Sequence, residues 1–446
     1  MSDLRHAGPA GSNLLAATDA ARQIATGRLR AETLVADCLA RIRARDPQIG
    51  AWVCVDDEHA LAQARALDAE LARSGPRGPL HGLPVGIKDV LDTGDLPTAH
   101  GSAIYRDDRP GRDSACVAAL RRAGAVILGK TVTTEFASPW PIGTRNPHDL
   151  TRTPGVSSSG SAAAVADFMV PLAIGTQTGG STIRPASYCG IVGFKASLDG
   201  LDRGGIRHVR PSLDTLGLFA RSVEEIVLLR EAMTGPQPPV PAAATTLRIG
   251  VCRSNDWPLA REETRQAFDL AAARLREAGA DLVPVELPGV FGTVLDTFSV
   301  ITAVEGARAL GRELRDHLDT MNPWMREFAA KAAQIDEVRY RAALHHATQC
   351  RAQLAPVFAT VDALITPASA GEASQNLTGL EDQSFCPVWT LMHGPSIALP
   401  VFTGPNAMPM GLQVVGPVGG DARLLVTAAR ISRALGPGKI AVTRTA

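Results

Sequence analysis

Lysine is scarce in this chain of 446 residues, and the chain carries no formal net charge. Only five of its 45 basic residues are lysines, at positions 88, 130, 195, 331 and 439. The 45 acidic residues balance the basic ones, so the formal net charge is zero. A neutral chain lacks the excess positive charge typical of proteins that bind nucleic acid or an anionic membrane surface. We therefore expect neither of these among its partners.

Aromatic residues and paired cysteines are also scarce. Aromatics make up 4% of the chain, so the core must be built mainly from Ala, Val, Leu and Ile. Seven scattered cysteines without a C-x-x-C pair exclude a disulfide framework or a regular zinc site and indicate reduced thiols in the cytoplasm. The histidines show no metal-binding spacing either, and we expect no metal. No apolar run of about 18 residues and no apolar N-terminal segment occur, so we expect neither a membrane span nor a signal peptide.

One stretch, residues 153–194, is unusually dense in small polar residues. It contains a serine loop at 155–161 and a second small-residue loop at 178–181, which ends in Ser181. Glycine is used where the backbone takes φ > 0 or approaches another group closely. The first loop lacks the Gly-Lys-Ser/Thr of a phosphate-binding loop, and neither loop fits the G-x-S-x-G elbow. The pattern indicates hydroxyl and amide groups that are held for chemistry.

Lys88 is the second unusual feature, because it follows Gly-Ile in the apolar stretch 81–90. Such a position is a poor one for a solvated charge. Burial lowers the pKa of a lysine, since desolvation disfavours the charged form. A neutral amine can then accept a proton from a serine hydroxyl. Lys88 is therefore a candidate general base.

These motifs resemble those of the amidase signature family, which uses a Ser-Ser-Lys triad. The family's lysine stretch is matched at 82–89, its serine loop at 155–161 and its nucleophile loop at 179–190. The resemblance covers most of the chain and keeps the order, spacing and flanks of the three motifs. It implies a single α/β domain over 1–446, with a large twisted mixed β-sheet covered by helices on both faces.

The resemblance assigns roles to residues of the three motifs. Lys88 is the expected general base, Ser157 the bridging serine after a cis peptide bond, and Ser181 the nucleophile that forms an acyl-enzyme. The reaction needs no cofactor. The expected oxyanion hole is formed by the backbone amides of Thr178, Gly179, Gly180 and Ser181.

The chain departs from the family pattern at the substrate side. Gln177 and Ile183 replace the common Asp and Arg, while Arg184 lies three residues after Ser181, as in the malonamidase-like branch. Arg184 would bind a substrate carboxylate bidentately, although a structural salt bridge is the alternative. The other expected substrate-binding residues are Ser158, Gln177 and His393. Ser158 could instead orient the loop, and His393 could be structural.

Val156 is a further departure, because the family usually has Gly before the bridging serine. Valine cannot take φ > 0 without strain, but it is tolerated in the β region. The sequence leaves both conformations open, and with them full or reduced activity.

The periodicity of the hydrophobic residues and the positions of Gly and Pro divide the chain into parts. We expect a helical part at 1–75, a core with the three motifs at 76–235, a linker at 236–244, and a second α/β part at 245–446 with a helical cover at 293–360. The predicted elements that bear on the site are strands at 83–90 and 169–174 and helices at 161–168, 293–318 and 323–360.

The leading hypothesis is a serine amidohydrolase that cleaves linear amide C–N bonds in a small amide, ureide or ester with a carboxylate. The second is the catalytic A-type subunit of an aminoacyl-tRNA amidotransferase, against which the Arg184 pattern argues. The third is a catalytically impaired binder of small ligands, supported by Val156. We expect a cytoplasmic protein with a small-molecule partner, and the resemblance is compatible with a homodimer.

Overall fold

The computed structural model of the protein describes residues 4, 11–236, 246–375, 377–378, 380, 382–436 and 440–442. Its strands are β1 (Trp52–Val55), β2 (Pro84–Lys88), β3 (Val126–Thr131), β4 (Leu172–Gln177), β5 (Val192–Lys195), β6 (Thr215–Ala220), β7 (Arg248–Cys252), β8 (Asp281–Val285), β9 (Ala363–Pro367), β10 (Ser396–Thr403), β11 (Pro409–Val415) and β12 (Ile440–Ala441). The predicted linker at 236–244 lies outside the described residues from position 237 onward.

The α-helices follow the same chain order. They are α1 (Ala17–Ala25), α2 (Ala31–Ile49), α3 (Asp57–Ser74), α4 (Ala115–Arg122), α5 (Ser159–Ala166), α6 (Ile183–Cys189), α7 (Val223–Thr234), α8 (Glu262–Glu277), α9 (Val294–Ala309), α10 (Gly311–Asp316), α11 (Pro323–Ala332), α12 (Glu337–Phe358), α13 (Pro387–Leu391) and α14 (Asp421–Leu435).

All described strands belong to one mixed sheet in the order β1-β3-β2-β4-β6-β5-β10-β11-β9-β7-β8, with β12 beside β10. The pairs β3–β2–β4 are parallel near one edge, and β9–β7–β8 are parallel at the other. The strands between these two parallel groups pair antiparallel. The central strands β4, β6, β9 and β11 are almost wholly buried, as expected of a sheet with helices on both faces. The predicted α/β fold class is confirmed.

Several predicted elements near the site form with shifted bounds. The strand predicted at 169–174 runs instead from Leu172 to Gln177, because α5 already ends at Ala166 and a tight turn follows. In this turn Phe168 has a positive φ of 58°. Strand β6 and helix α7 have no counterpart among the predictions.

The two long helices predicted at 293–318 and 323–360 are each divided. The first becomes α9 and α10, which meet at Leu310. The second becomes α11 and α12, and the break precedes Asp336, whose side chain accepts from the Arg339 amide and so caps α12. One helical stretch of the described residues, Gly289–Ala309, is long and apolar enough to cross a membrane by composition, yet half of it is buried inside the fold. Helix α9, which fills most of it, packs against α11 and α12.

Candidate active site

Lys88 is the last residue of β2, and its side chain is completely buried. Its Nζ donates to three hydroxyl groups: Ser157 Oγ at 2.7 Å, Ser158 Oγ at 2.9 Å and Thr176 Oγ1 at 2.8 Å. Strand β4 lies beside β2 and brings Thr176 to the amine. The parallel pairing of two strand ends therefore places an amine and hydroxyls of distant motifs in one cluster.

Burial lowers the pKa of Lys88 to about 7, and the negative charge of Asp214 opposes this shift in part. The other two buried lysines differ in their partners. Lys130 donates to the carbonyls of Leu91 and Pro97 and also to the Thr98 hydroxyl, and Lys195 donates to the carbonyls of Ala196 and Gly394. Backbone carbonyls cannot give up a proton, whereas hydroxyls can. Among these three lysines, only Lys88 has hydroxyl groups as its sole hydrogen-bond partners in the described residues.

The serine loop turns between Gly155 and Ser157. Gly155 has a φ of 89°, and a β-carbon there would lie 2.9 Å from Pro185, so both conformation and space require glycine. The Val156–Ser157 peptide bond is cis. Val156 is absent from the described residues with positive φ, so the left-handed conformation that would strain valine is not used. Of the two conformations that the sequence left open for Val156, the structure thus does not have the one with positive φ.

Ser158 was expected to bind substrate, but the structure places it beneath the loop. It is fully buried, accepts from Lys88 and donates to the carbonyl of Thr176 at 3.1 Å. The Thr176 amide donates back to Ser158 Oγ at 3.3 Å. Ser158 therefore fixes the position of Lys88 relative to β4.

The nucleophile loop connects β4 to α6, and Ser181 is partly exposed in it. Gln177, another residue expected to bind substrate, lies under this loop and is fully buried. Its Oε1 accepts from the amides of Thr182 at 2.9 Å and Ile183 at 3.1 Å, and its Nε2 donates to Thr390 Oγ1 at 3.0 Å. A neutral amide that both accepts and donates can hold the start of α6, which explains why Gln177 needs no charged partner at Ile183.

A cavity of about 300 Å³, hereafter the active-site cavity, opens above this loop. Thr178, Gly179, Gly180 and Ser181 line it together with Val156, which adjoins Ser157. Arg184 also lines it, although this residue is only 2% exposed. Arg184 packs closely on the loop, because a β-carbon on Gly180 would be 2.5 Å from its Nη2. Two of the matched motifs therefore line one cavity, and the third reaches its edge through the contact of Lys88 with Ser157.

The opposite wall of the active-site cavity comes from residues that sequence reasoning missed. Helix α9 contributes Phe298 and Thr302, and α11 contributes Trp324 and Phe328. Arg210, from the loop between β5 and β6, adds a second buried guanidinium group. The amphipathic pattern of the helices predicted their existence but not the partner of each face. Arg210 carries no local motif that could have revealed it.

His393 was expected near the substrate, but it is not among the described residues that line the active-site cavity. Its Nε2 lies 3.5 Å from Arg351 Nη1, and its carbonyl accepts from the Leu198 amide. Burial and the nearby charge of Arg351 lower the pKa of His393 to about 4. A neutral His393 therefore contacts Arg351 and Leu198 just before the start of β10. Within the described residues, no group of three or more His, Cys, Asp or Glu side chains could hold a metal ion.

The comparisons with known proteins identify the family. The sequence model of one protein family, Amidase, matches residues 33–425. The chain belongs to the amidase family. A solved structure with a TM-score of 0.87 and 30% identity covers 96% of this chain and all of its own chain. That structure is described as a vestigial protein complex that reveals the origins of an s-triazine catabolic enzyme, here with an inhibitor bound.

Curated relatives include the A-type subunits of glutamyl-tRNA(Gln) amidotransferase from two bacteria. The Acidothermus cellulolyticus protein is 34% identical over 94% of this chain and 94% of its own length. The Salinispora arenicola protein is 35% identical over 95% of this chain and 98% of its own length. The predicted amidase signature family is thus confirmed. The malonamidase-like branch is not confirmed, because these relatives are amidotransferase subunits.

These relatives also contradict the expected partners, namely a small molecule without nucleic acid and a homodimer. The name of both relatives denotes one subunit of an enzyme that acts on tRNA. The expected absence of nucleic acid rested on a net charge of zero, whereas the homodimer rested on the family resemblance alone. Net charge reports neither the local distribution of charge on a surface nor a binding site that a second subunit supplies, and this is why the inference failed.

Proposed function

We propose that this chain is a serine amidase that releases ammonia from a small carboxylate-bearing amide, as the catalytic A-type subunit of an aminoacyl-tRNA amidotransferase in the cytoplasm. The observation that carries the amidase chemistry is the buried Lys88, whose amine contacts only hydroxyl groups among its hydrogen-bond partners in the described residues. The assembly is supported by the two amidotransferase relatives and by the neighbouring structure of a protein complex.

In the proposed reaction, neutral Lys88 accepts a proton from Ser157 while Ser157 accepts one from Ser181. The Ser181 oxygen then attacks the amide carbon, and the amides of the 178–181 loop stabilise the oxyanion. When the C–N bond breaks, the proton held by Lys88 returns through Ser157 to the leaving ammonia. Water deprotonated by the same relay hydrolyses the acyl-enzyme, which releases the acid and restores Ser181.

The carboxylate of the substrate would be bound by Arg184. Its guanidinium lies against Gly180 in the wall of the active-site cavity, one helical turn from the nucleophile. A planar guanidinium can hold a carboxylate with two parallel hydrogen bonds, which also orients the amide at the other end of a short substrate. Glutamine and malonamate both provide an amide and a carboxylate in one small molecule.

A second candidate is a hydrolase that acts on small carboxylated amides or ureides without transferring the ammonia. The specific observation that favours it is the pairing of Gln177 with the start of α6, where the common family pattern has charged residues. The arginine of that pattern is found one position later in the sequence, at Arg184, which lines the active-site cavity. This candidate shares its chemistry with the amidotransferase subunit proposed above. The two differ in the fate of the ammonia.

The test compares the chain alone with the chain reconstituted with the other subunits of an aminoacyl-tRNA amidotransferase. We would measure ammonia release from glutamine and from malonamate, with Ser181→Ala as the control. Glutaminase activity that requires the other subunits and glutamyl-tRNA supports the amidotransferase role. Rapid hydrolysis of malonamate by the chain alone, unaffected by the other subunits, would favour the second candidate.

A fluorophosphonate label detected by intact mass tests the chemistry that both candidates share. A single adduct that is lost in Ser181→Ala is the expected result. Absence of any adduct on the folded chain would reject both candidates and leave the impaired binder of small ligands.

A further inference from the structure

Arg210 is held rigidly in the wall of the active-site cavity. Its amide donates to Asp214 Oδ2 at 2.7 Å, and its carbonyl accepts from the amides of Leu213 and Asp214 at 2.9 and 2.8 Å. The residue as a whole is only 5% exposed, yet it lines the same cavity as Ser181. A fixed backbone in a tight turn leaves the side chain few directions, and the one observed leads to the cavity.

The charges of Asp214 and Glu305 act on Arg210, but both carboxylates accept hydrogen bonds from other donors. Asp214 accepts from the Thr178 hydroxyl and from the Val209 amide as well as from the Arg210 amide. Glu305 accepts from the Ser212 amide at 3.0 Å and from the Tyr340 hydroxyl at 3.1 Å. In the part of the chain that the structure describes, the guanidinium of Arg210 forms neither a side-chain hydrogen bond nor an ion pair.

The space around this guanidinium is built by two helices of the cover. Its Cζ lies 5.4 Å from the centre of the Phe328 ring on α11. Gly306 on α9 faces the same group: a β-carbon there would be 2.6 Å from Phe328 Cζ and 3.3 Å from Arg210 Nε. Glycine in the middle of a helix is unfavourable, and at this position it leaves room for the ring and the guanidinium.

A buried charge without an ionic partner is costly, and proteins normally pair it. The cation–π contact with Phe328 offsets only part of this cost. Because the guanidinium lines the cavity that also holds the nucleophile, the missing anion would come from a molecule bound there. Arg184 is a different group, on α6, so the cavity has cationic groups on two of its walls. Glu327 and Lys331 of α11 also line it.

We infer that Arg210 binds an acidic group of the substrate and is a specificity-determining residue that selects acidic over neutral amides, separately from Arg184. This inference rests on the proposed amidase function and adds a second determinant of the substrate class. It implies that amides with a carboxylate a few bonds from the scissile carbonyl are favoured over isosteres that end in a methyl group.

The experiment measures selectivity as the ratio of kcat/KM for a carboxylated amide to that for its neutral analogue. Suitable pairs are malonamate with propionamide and glutaramate with valeramide. Arg210→Gln should lower this ratio by about 10- to 100-fold, because a charge-assisted hydrogen bond is lost. Arg312→Gln removes an arginine from the cover that does not line the cavity and should leave the ratio unchanged. An equal loss for both members of a pair, or an unchanged ratio in Arg210→Gln, would overturn the inference.

Two further measurements keep the test informative. In a Ser181→Ala background, calorimetry with glutaramate should show weaker binding when Arg210 is replaced by Gln, and this readout needs no turnover. If Arg210→Gln does not fold, Arg210→Lys retains the charge, and it should keep part of the selectivity but lose the bidentate geometry. Full selectivity in Arg210→Lys and unchanged glutaramate binding in Arg210→Gln would each count against Arg210. Failure of the proposed function would instead appear as an absent fluorophosphonate adduct on Ser181.

Discussion

The protonation state of Lys88 is expected to set the pH dependence of catalysis. Its pKa is lowered to about 7 by burial, so the amine is protonated at lower pH and cannot accept a proton from Ser157. We predict that kcat/KM falls about tenfold for each pH unit below 7 and reaches a plateau above it. A pH–rate profile on glutamine or malonamate measures this limb.

Lys88→Met provides the corresponding variant test. The side chain keeps its length but loses the amine, so activity should fall by about 10²- to 10⁴-fold, and the remaining rate should lose the limb near pH 7. Lys195 is the informative comparison, because burial also lowers its pKa to about 7 while its amine donates to backbone carbonyls. If kcat/KM of Lys88→Met still fell below pH 7, the group that titrates there would be a residue other than Lys88.

Among the elements, the helical cover depends on the close approach of α9 and α11. Gly306→Ala improves helix propensity by about 1 kcal/mol but places a methyl group against Phe328. Overpacking of this kind costs about 1–3 kcal/mol, so we expect a net loss of stability of about 1 kcal/mol and a shifted wall of the active-site cavity. Urea unfolding measures the loss.

Gly311→Ala is the matched control for this prediction. A β-carbon at Gly311, the first residue of α10, meets nothing within 4 Å. This substitution should be neutral or slightly stabilising. If Gly306→Ala were equally harmless, the close packing of α9 on α11 would not limit the size of the cavity.

Across the whole molecule, a buried ion pair joins the N-terminal helices to the site. Arg41 on α2 and Asp167, which follows α5, are both fully buried, with Arg41 Nε 3.2 Å from Asp167 Oδ2. Arg45 contacts the same carboxylate at 3.2 Å. Since α5 begins at the serine loop, this cluster connects α2 to the position of Ser157.

Asp167→Ala should destabilise the protein by about 3–5 kcal/mol, because it leaves Arg41 buried without its partner. Asp57→Ala breaks a pair with Arg43, which also lies on α2, but this pair is exposed, and its loss should cost at most about 1 kcal/mol. Thermal unfolding of the two variants makes the comparison. Similar melting temperatures would show that α2 contributes little to holding α5.

The three motifs, their order and the fold class could all be predicted from the amino-acid sequence alone. The roles of Lys88, Ser157 and Ser181 were assigned through the family resemblance, which is visible because short segments need particular residues, such as Gly155 with its positive φ. Such constraints act within a few residues and are visible in the sequence. The strand β2 was predicted for the same reason, since its apolar pattern is local.

What surrounds these motifs was settled by tertiary packing. Gln177 and Ser158 hold the loops in position. His393 is not among the described residues that line the active-site cavity, whereas Arg210 lines it although no sequence motif marks this residue. These roles depend on contacts between residues far apart in the chain, such as Gln177 with Thr390. Periodicity shows that a helix has an apolar face, but it does not show which helix or loop that face will contact. The packing of α9 and α11 over the nucleophile loop therefore set the size and charge of the site.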